Sequence, residues 1–439
     1  MARPKPPSEP GTDLPGKPAA SAGRAKPAML VVPRGWLVAV LMIVLAPWLI
    51  VAMLYSRVPV PAAVSPAPAA AATGIATSGG DPGARGQLLT TPIVISPPVE
   101  YVPTDWGPIE PPTWHFPNAT MPQVEAVFAG SGLSAGEVSA LMAAAKPAPA
   151  IKGVIVTPDP ALARSLKPDV RAHIYLMLAG TPLNVRQRDA YRYYGSSAEA
   201  WLAASAVSAE TRRLVDPLIY RQGDFLYFAD IDLVRPHITD AAELQRLAKA
   251  LLREATLLVG LRLDERADVD RIAEYWGRGG RRTDVRPLLE SVAGADGPQT
   301  FDVSHLLPTF ARQHLYRYPR VTLADLERTA FVNCFWTALN FFNQEPDDRY
   351  LDDRWAIERL KRDYYIVHDQ LQLGDIAAFA DARGRYFHAA VYLADNLVFG
   401  KNGNSPLAPW TIVPIERLKG YYVEYADEWN VIYYRRKDL

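Results

Sequence analysis

VNCFWTALNFF, at residues 332–342, carries the single cysteine of a chain of 439 residues, Cys334. Its dense apolar and aromatic residues predict a buried helix over residues 333–342, with the thiol in the first turn. A second helix is predicted over residues 353–363. Strand-like runs then follow, at residues 376–380, 388–394, 396–399, 410–414 and 431–435. An early helix that carries the thiol, followed by a sheet, predicts an α+β fold.

The single cysteine limits the chemistry of the chain. It excludes an intramolecular disulfide and a Cys-rich zinc site. His388 lies further along, in the strand-like run FHAAVYLA, and a thiol followed by an imidazole predicts a cysteine nucleophile with a histidine base. A helix N-terminus and a neighbouring imidazolium both favour the thiolate. Two alternatives stay open: Cys334 as a small buried hydrophobe, and His388 as a core histidine that donates to a backbone carbonyl.

Three short motifs, in this order, resemble those of the NlpC-type cell-wall peptidases, the bacterial branch of the papain-like fold. That family shows Asp-Cys-Ser-Gly at its nucleophile, then Gly-Asp-Leu before a strand, then a His-Val-Gly-Ile-Tyr-Leu strand. The corresponding stretches here are NCFW at residues 333–336, GDI at residues 374–376 and HAAVYL at residues 388–393. The resemblance begins near Tyr316, and it implies a papain-like domain over residues 306–439.

The resemblance also implies a cysteine hydrolase site. Cys334 is then the nucleophile that attacks an amide carbonyl, and His388 takes the thiol proton and later protonates the leaving amine. The family's third polar residue falls near Gly400, which has no side chain to orient an imidazole, so Asn402 is the expected orienting residue. Lys401 lies between them, but a cation beside the imidazole would lower its basicity. Neither a metal nor another cofactor is implied.

The residues around the nucleophile differ from the family pattern. Phe335 and Trp336 replace small polar residues and are expected to narrow the acyl pocket. An upstream tyrosine helps to shape the site in the family, and Tyr316 or Tyr318 is expected to do so here. The expected reaction is hydrolysis of an amide bond in peptidoglycan peptides. Two alternatives stay open: a catalytically inactive papain-fold module that binds wall peptides or a partner protein, and an acyltransferase that acts on a lipid or protein amide.

The apolar run WLVAVLMIVLAPWLIVAML, at residues 36–54, contains no charged residue. It is long enough to cross a bilayer as a helix, which needs about 20 apolar residues. Lysine and arginine outnumber acidic residues before it, and the positive-inside rule then predicts a cytoplasmic N-terminus and an extracytoplasmic remainder. The expectation is a single-pass protein of the inner (cytoplasmic) membrane. A cleaved signal peptide, cut near Ala62 and Ala63, is the alternative.

The rest of the chain divides by composition. Residues 1–35 predict a disordered cytoplasmic tail, and the Pro/Ala-rich residues 55–120 predict an extracytoplasmic linker. Residues 121–305 predict a mainly helical domain of unknown role, with helices at residues 189–194 and, most clearly, 240–259. The 47 basic and 47 acidic residues balance, which argues against a nucleic-acid partner. The expected partners are the lipid bilayer, through the apolar run, and peptidoglycan.

Overall fold

The computed structural model describes residues 83–102, 107–203, 205–319, 331–422 and 428–439, together with the backbone of strand Ile75–Ala76. The predicted cytoplasmic tail and the apolar run at residues 36–54 lie outside the described residues. Within the described ranges, no helix has the length and apolar character needed to span a membrane.

Strands and helices alternate irregularly along the described chain, which makes the fold a mixed α+β one, as predicted. The strands are β1 (Ile75–Ala76), β2 (Gln87–Ile95), β3 (Trp114–Phe116), β4 (Ala145–Ala148), β5 (Gly153–Val156), β6 (Tyr191–Tyr194), β7 (Tyr220–Gln222), β8 (Phe225–Phe228), β9 (Glu254–Leu263), β10 (Gln299–Asp302), β11 (Tyr364–Val367), β12 (Ile376–Asp381), β13 (Tyr386–Ala394), β14 (Leu397–Lys401), β15 (Trp410–Pro414) and β16 (Trp429–Arg436). The α-helices are α1 (Met121–Gly130), α2 (Ala135–Ala143), α3 (Pro160–Ser165), α4 (Pro168–Ala179), α5 (Val185–Arg188), α6 (Ala198–Leu202), α7 (Ala209–Val215), α8 (Ile231–Val234), α9 (Ala241–Leu251), α10 (Val269–Trp276), α11 (Arg282–Ala293), α12 (Thr309–His314), α13 (Cys334–Leu339), α14 (Asp353–Asp363) and α15 (Ile415–Tyr421).

The C-terminal part is built on an antiparallel sheet with the strand order β11-β16-β12-β13-β14-β15. The five strands predicted after the second helix are confirmed as β12 to β16, and that helix is confirmed as α14. Helix α13 is shorter than predicted and is followed by Asn340. The side chain of Asn340 accepts the N–H of Asp347 at 2.7 Å and the amide of Asn343 at 2.8 Å, so it organises a loop instead of a further helical turn.

The two faces of this sheet pack against different helices. Because successive strand residues point to opposite faces, Ala389, Val391 and Leu393 of β13 face the core that contains α13. We call this side the thiol face. Ala390 faces a smaller core with Phe379 and residues of α15, and we call that side the aromatic face.

A second antiparallel sheet, with the order β1-β2-β9-β10, corrects the linker prediction. Strand β2 pairs with β9 over its whole length, from Gln87 opposite Arg262 to Ile95 opposite Glu254. Pro92 and the surrounding proline-rich sequence favoured a linker. The apolar and β-branched residues of QLLTTPIVI outweigh them, because they fit a half-buried strand.

The prediction of one helix over residues 240–259 is wrong in its second half, since α9 ends at Leu251 and β9 begins at Glu254. The apolar residues of the run LLREATLLVGLRL match the period of a helix as well as that of a strand. Such a run does not distinguish a buried strand from a helix. The helix predicted over residues 189–194 is also wrong, because its aromatic YRYY segment forms β6.

The hydrophobic core does not divide at the predicted boundary between residues 305 and 306. One cluster of buried residues joins Leu261 and Trp276 to Phe310, Phe335 and Phe399. The region before the boundary is also less helical than predicted, since strands β4 to β10 alternate with its helices. Two smaller three-stranded sheets, β3-β5-β4 and β6-β8-β7, lie there.

Candidate functional site

Cys334 is the first residue of α13, in the core of the thiol face. Asn333 caps the helix, because its side-chain oxygen accepts the N–H of Trp336 at 2.8 Å. The amide of Asn333 donates to Oδ1 of Asp353 at 2.7 Å, and its carbonyl accepts the Thr337 hydroxyl at 2.8 Å. These bonds fix the start of the helix, and the predicted position of the thiol in the first turn is confirmed.

The sulfur of Cys334 lies in surroundings that exclude water. The residue is 5% exposed, and desolvation raises the pKa of the thiol to about 12. Hydrogen bonds from the backbone N–H groups of Ala389 and Phe335 oppose that rise, as does the positive charge of Lys401, whereas the Asp353 carboxylate adds to it. The thiol is therefore neutral at neutral pH in the described conformation, although the two N–H groups and the charge of Lys401 each act to lower its pKa.

His388 lies on the aromatic face, opposite the thiol. It pairs across the strands with Phe379, and its ring meets the edge of the Phe379 ring with centroids 5.2 Å apart. The imidazole stacks on Tyr422 at 4.4 Å. Since neighbouring strand residues alternate between faces, it is Ala389 that faces Cys334. The predicted dyad of Cys334 and His388 does not form.

The imidazole of His388 is isolated from other polar groups. It is fully buried, and neither Nδ1 nor Nε2 has a hydrogen-bond partner. Desolvation lowers the pKa of the imidazole to about 3. Asn402, the predicted orienting residue, lies half-buried directly after β14 and makes no bond to the ring. The predicted role of Asn402 is therefore corrected together with the dyad.

Motif spacing did not fix the face on which His388 lies. Strand β13 pairs with β12 through a bulge, with Phe379 opposite His388 and Ala380 opposite Tyr386. A change of one residue in strand register or phase moves a side chain to the other face of the sheet. The order of thiol, Gly-Asp turn and imidazole is thus compatible with either face.

Lys401 lies on the thiol face. It is the last residue of β14, in phase with Leu397 and Phe399, which belong to the core around Cys334. Its side chain is fully buried. The Nζ atom donates to the carbonyl oxygens of Gly403 at 3.1 Å and Ser405 at 2.7 Å.

The charges of Lys401 and Cys334 are coupled. Desolvation lowers the pKa of Lys401 to about 7, and the charge of the Cys334 thiolate opposes that fall. In return the Lys401 cation favours the thiolate. Lys401 has no role in the predicted dyad, although the alternation Leu397, Phe399, Lys401 already indicates that its side chain points towards a core.

The Gly374-Asp375 motif has a structural role. Asp375 is fully buried, and its carboxylate accepts two bonds from the Arg435 guanidinium, at 2.8 and 2.7 Å. Arg278 lies 3.7 Å from the same carboxylate. Gly374 has a φ of 91°, and a Cβ atom there would overlap the ring of Phe342. The motif ties the start of β12 to the C-terminal strand β16 and holds it tightly against the loop after α13.

The two upstream tyrosines direct their hydroxyls towards the segment around β9. Tyr316 donates to the carbonyl oxygen of Leu257 at 2.7 Å, and Tyr318 donates to that of Leu252 at 2.8 Å. Both hydroxyls are therefore engaged away from Cys334. Their role in the structure is to hold the segment after α12 against the second sheet.

Aromatic side chains close the thiol face near α13. Phe335 is 3% and Trp336 is 4% exposed. The indole of Trp410 donates to the hydroxyl of Thr337 at 2.9 Å, and its ring centroid lies 6.5 Å from that of Trp336. A cavity of about 500 Å³ lies at the C-terminal ends of α13 and α14, and Cys334 is not among the residues that line it. The sulfur of Cys334 is thus covered in the described conformation.

Comparison with known proteins finds no family model, no curated protein and no solved structure that matches the chain. The helices and sheets make the chain an α+β protein.

Proposed function

We propose that the chain is a thiol-dependent amide hydrolase with a papain-like C-terminal domain and Cys334 as its nucleophile. The observation that carries this proposal is the position of Cys334 at the start of α13, in one core with Ala389 of β13. The backbone N–H groups of Ala389 and Phe335 and the charge of Lys401 lower the pKa of this thiol, which burial otherwise raises. Such groups stabilise a thiolate and the oxyanion that forms beside it. A cysteine that only filled space in a core would need none of them.

The proposed reaction proceeds through a thioester. The sulfur of Cys334 attacks the carbonyl carbon of an amide, and the carbonyl π electrons move to oxygen. The tetrahedral intermediate collapses, the C–N bond breaks, and the amine leaves with a proton. Water then attacks the thioester, the C–S bond breaks, and the thiol is regenerated as the carboxylic acid leaves.

The substrate and the location belong to the same proposal. The resemblance to NlpC-type peptidases favours the peptide amides of peptidoglycan as substrate. The charge-free run at residues 36–54 favours an anchor in the inner membrane with the catalytic part outside the cytoplasm. Transfer to an amine of a lipid or protein would differ only in the group that attacks the thioester.

A non-catalytic papain-fold module that binds wall peptides or a partner protein is the second candidate. The observation in its favour is the burial of Cys334 together with Phe335 and Trp336 in the first turn of α13. An enzyme has to open this cover to admit a substrate, whereas a binding module does not.

Alkylation of the thiol separates the two candidates. Because Cys334 is the only cysteine, an iodoacetamide probe reports on it alone. The native full chain is labelled at graded pH, with the denatured chain as reference, and purified peptidoglycan is then digested with the wild type and with Cys334→Ala. The hydrolase predicts labelling of the native chain and new muropeptides with the wild type only. Labelling only after denaturation, with identical muropeptide profiles, would leave the binding module.

A further inference from the structure

Lys401 is a cationic residue buried in the core of the thiol face. Lysine is almost never fully buried unless its charge is paired. In the described part of the chain, no carboxylate lies within ion-pair distance of its Nζ atom, and the ionisable group coupled to it is the thiol of Cys334. Among the described residues, the anion that stabilises the Lys401 cation is therefore the Cys334 thiolate.

The hydrogen bonds of Lys401 suit a neutral amine. A neutral amine has two N–H groups and one lone pair, whereas an ammonium has three N–H groups. The carbonyl oxygens of Gly403 and Ser405 accept two bonds from Nζ. Both N–H groups of the neutral form are thus satisfied, and the lone pair is left to accept a proton.

We infer that Lys401 is the catalytic residue that accepts the Cys334 proton, in the position that sequence resemblance assigns to His388. This inference rests on the proposed hydrolase function. His388 is excluded from the role by its place on the aromatic face, where neither ring nitrogen has a partner. Lys401 instead lies on the thiol face, in phase with Leu397 and Phe399 of the core that contains Cys334.

Cys334 and Lys401 together account for each proton that is transferred in the proposed reaction. The thiol proton of Cys334 moves to the Nζ lone pair as the sulfur attacks the amide carbonyl, which gives a thioether-type C–S bond, an oxyanion and the Lys401 ammonium. The ammonium then gives that proton to the amine as the C–N bond breaks. In the second step Lys401 takes a proton from the attacking water and returns it to the sulfur as the C–S bond breaks.

Burial prepares the amine for this role. Desolvation lowers the pKa of Lys401 to about 7, so a large fraction of the amine is neutral near neutral pH. The neutral pair and the thiolate–ammonium pair are two forms of the same protonation state, and they titrate as one coupled unit. Entry of substrate or solvent would favour the charged form, because it restores solvation to both ions.

The test is the pH dependence of alkylation of Cys334 in the full chain. Wild type, Lys401→Met and His388→Phe are labelled with iodoacetamide from pH 5 to 11. Methionine matches the length of the lysine stem without its amine, and phenylalanine fits the aromatic surroundings of His388. We expect Lys401→Met to label at least tenfold more slowly at pH 7 and with an inflection at higher pH, and His388→Phe to follow the wild type. A wild-type profile in Lys401→Met, or a shifted profile in His388→Phe, would overturn the inference.

Turnover adds a readout that a structural role would not change. Lys401→Arg keeps a cation near the sulfur but cannot accept a proton, so it is expected to retain alkylation at pH 7 while losing muropeptide release. If Cys334→Ala is inactive but Lys401→Arg or Lys401→Met still releases muropeptides, the role of Lys401 is overturned and the hydrolase proposal is not. If native Cys334 is not alkylated and Cys334→Ala releases the same products as the wild type, the hydrolase itself fails. Thermal unfolding of each variant verifies that it is folded.

Discussion

The two faces of the six-stranded sheet each bury an ionisable group, but only one face gives that group partners. On the aromatic face, His388 lies against Phe379 and Tyr422, and neither ring nitrogen has a hydrogen bond. On the thiol face, Lys401 is bonded to two carbonyl oxygens and coupled to Cys334. Desolvation shifts the pKa of both groups downwards, so the pKa shift alone does not separate them.

The difference between the faces shows what makes a buried ionisable group a candidate for chemistry. A proton acceptor has to lie next to the atom that gives up the proton. His388 fails this condition by one step of strand alternation, whereas Lys401, in the neighbouring strand β14, lies on the same face of the sheet as Cys334. Adjacency on one face of the sheet is therefore a stronger criterion than the order of motifs along the chain.

The largest effect is expected at Asp375, which ties the start of β12 to β16 through Arg435. Asp375→Asn removes the carboxylate that binds Arg435 and faces Arg278. Loss of one partner from a buried ion pair costs about 3 to 5 kcal/mol. Urea unfolding is expected to show this loss.

Glu416→Gln is the control for Asp375→Asn. It breaks an exposed pair with Lys419, for which a change below about 1 kcal/mol is expected. Equal changes in the two variants would mean that Asp375 does not anchor the sheet.

Lys401→Met is expected to stabilise the fold, in contrast to most core substitutions. In the wild type the folded pKa of Lys401 is lowered from 10.5 to about 7. The unfolded state therefore binds more protons between these values, and wild-type stability falls as the pH falls from 10.5 to 7. Lys401→Met does not lose this stability, and its advantage at pH 7 is about 4 kcal/mol.

The measurement is the free energy of unfolding of both chains from pH 7 to 10.5. The gap between them should widen as the pH falls and then stay constant below pH 7. A gap that does not change with pH would place Lys401 in contact with water rather than in the core of the thiol face.

Gly374→Ala tests how tightly the thiol face is packed. Residue 374 has a φ of 91°, and the added Cβ would overlap the ring of Phe342. A left-handed φ alone costs about 1 kcal/mol, and displacement of the ring adds a similar amount or more, so a loss of about 2 to 3 kcal/mol is expected.

Gly384→Ala is the matched control for Gly374→Ala. It also has a positive φ, of 73°, but meets no atom within 4 Å. Denaturant unfolding should therefore show only the backbone cost, about 1 kcal/mol. If both variants lose the same amount, the contact with Phe342 does not contribute.

His388→Phe gives the smallest expected effect, and it is confined to low pH. The folded pKa of His388 is lowered from 6.5 to about 3. The unfolded chain therefore binds the extra proton between these values, and wild-type stability falls as the pH falls below 6.5. At pH 5 the variant is expected to be more stable than the wild type by about 2 kcal/mol, with little difference at pH 7.5.

Thermal unfolding at pH 7.5 and pH 5 measures this difference. Background titration of other groups cancels when the two chains are compared. If His388→Phe and the wild type respond equally to acid, His388 is solvated or hydrogen-bonded, and the contrast between the faces is lost.

The sequence predicts well those elements whose signals are local. Helix α14 begins where Asp352 caps it, with its carboxylate accepting the N–H of Arg354 at 2.9 Å. Strand β15 has the predicted limits, because its apolar run is short and is bounded by turn residues. The prediction for the segment that forms β9 is wrong, because its leucines fit a helix as well as a strand. Pairing with the distant strand β2 decides between the two.

The site residues show the same difference between local sequence signals and long-range pairing. The position of Cys334 in the first turn of a helix follows from local sequence and is confirmed. Its neighbour does not follow, because the bulge between β12 and β13 and the alternation of β14 decide which side chains reach the thiol face. Lys401 becomes a candidate only once Ala389, rather than His388, is seen to face the sulfur.

The most direct test of the account is an NMR titration of the Lys401 ¹³Cε resonance in the full chain, compared with Cys334→Ala and His388→Phe. The account predicts titration near pH 7, well below the ordinary lysine value of 10.5. It further predicts a lower pKa in Cys334→Ala, because the thiolate–ammonium form of the pair, in which Lys401 keeps its proton, is lost, and no change in His388→Phe. A Lys401 that titrates near 10.5, or that responds to His388→Phe and not to Cys334→Ala, would contradict the pairing of Cys334 with Lys401.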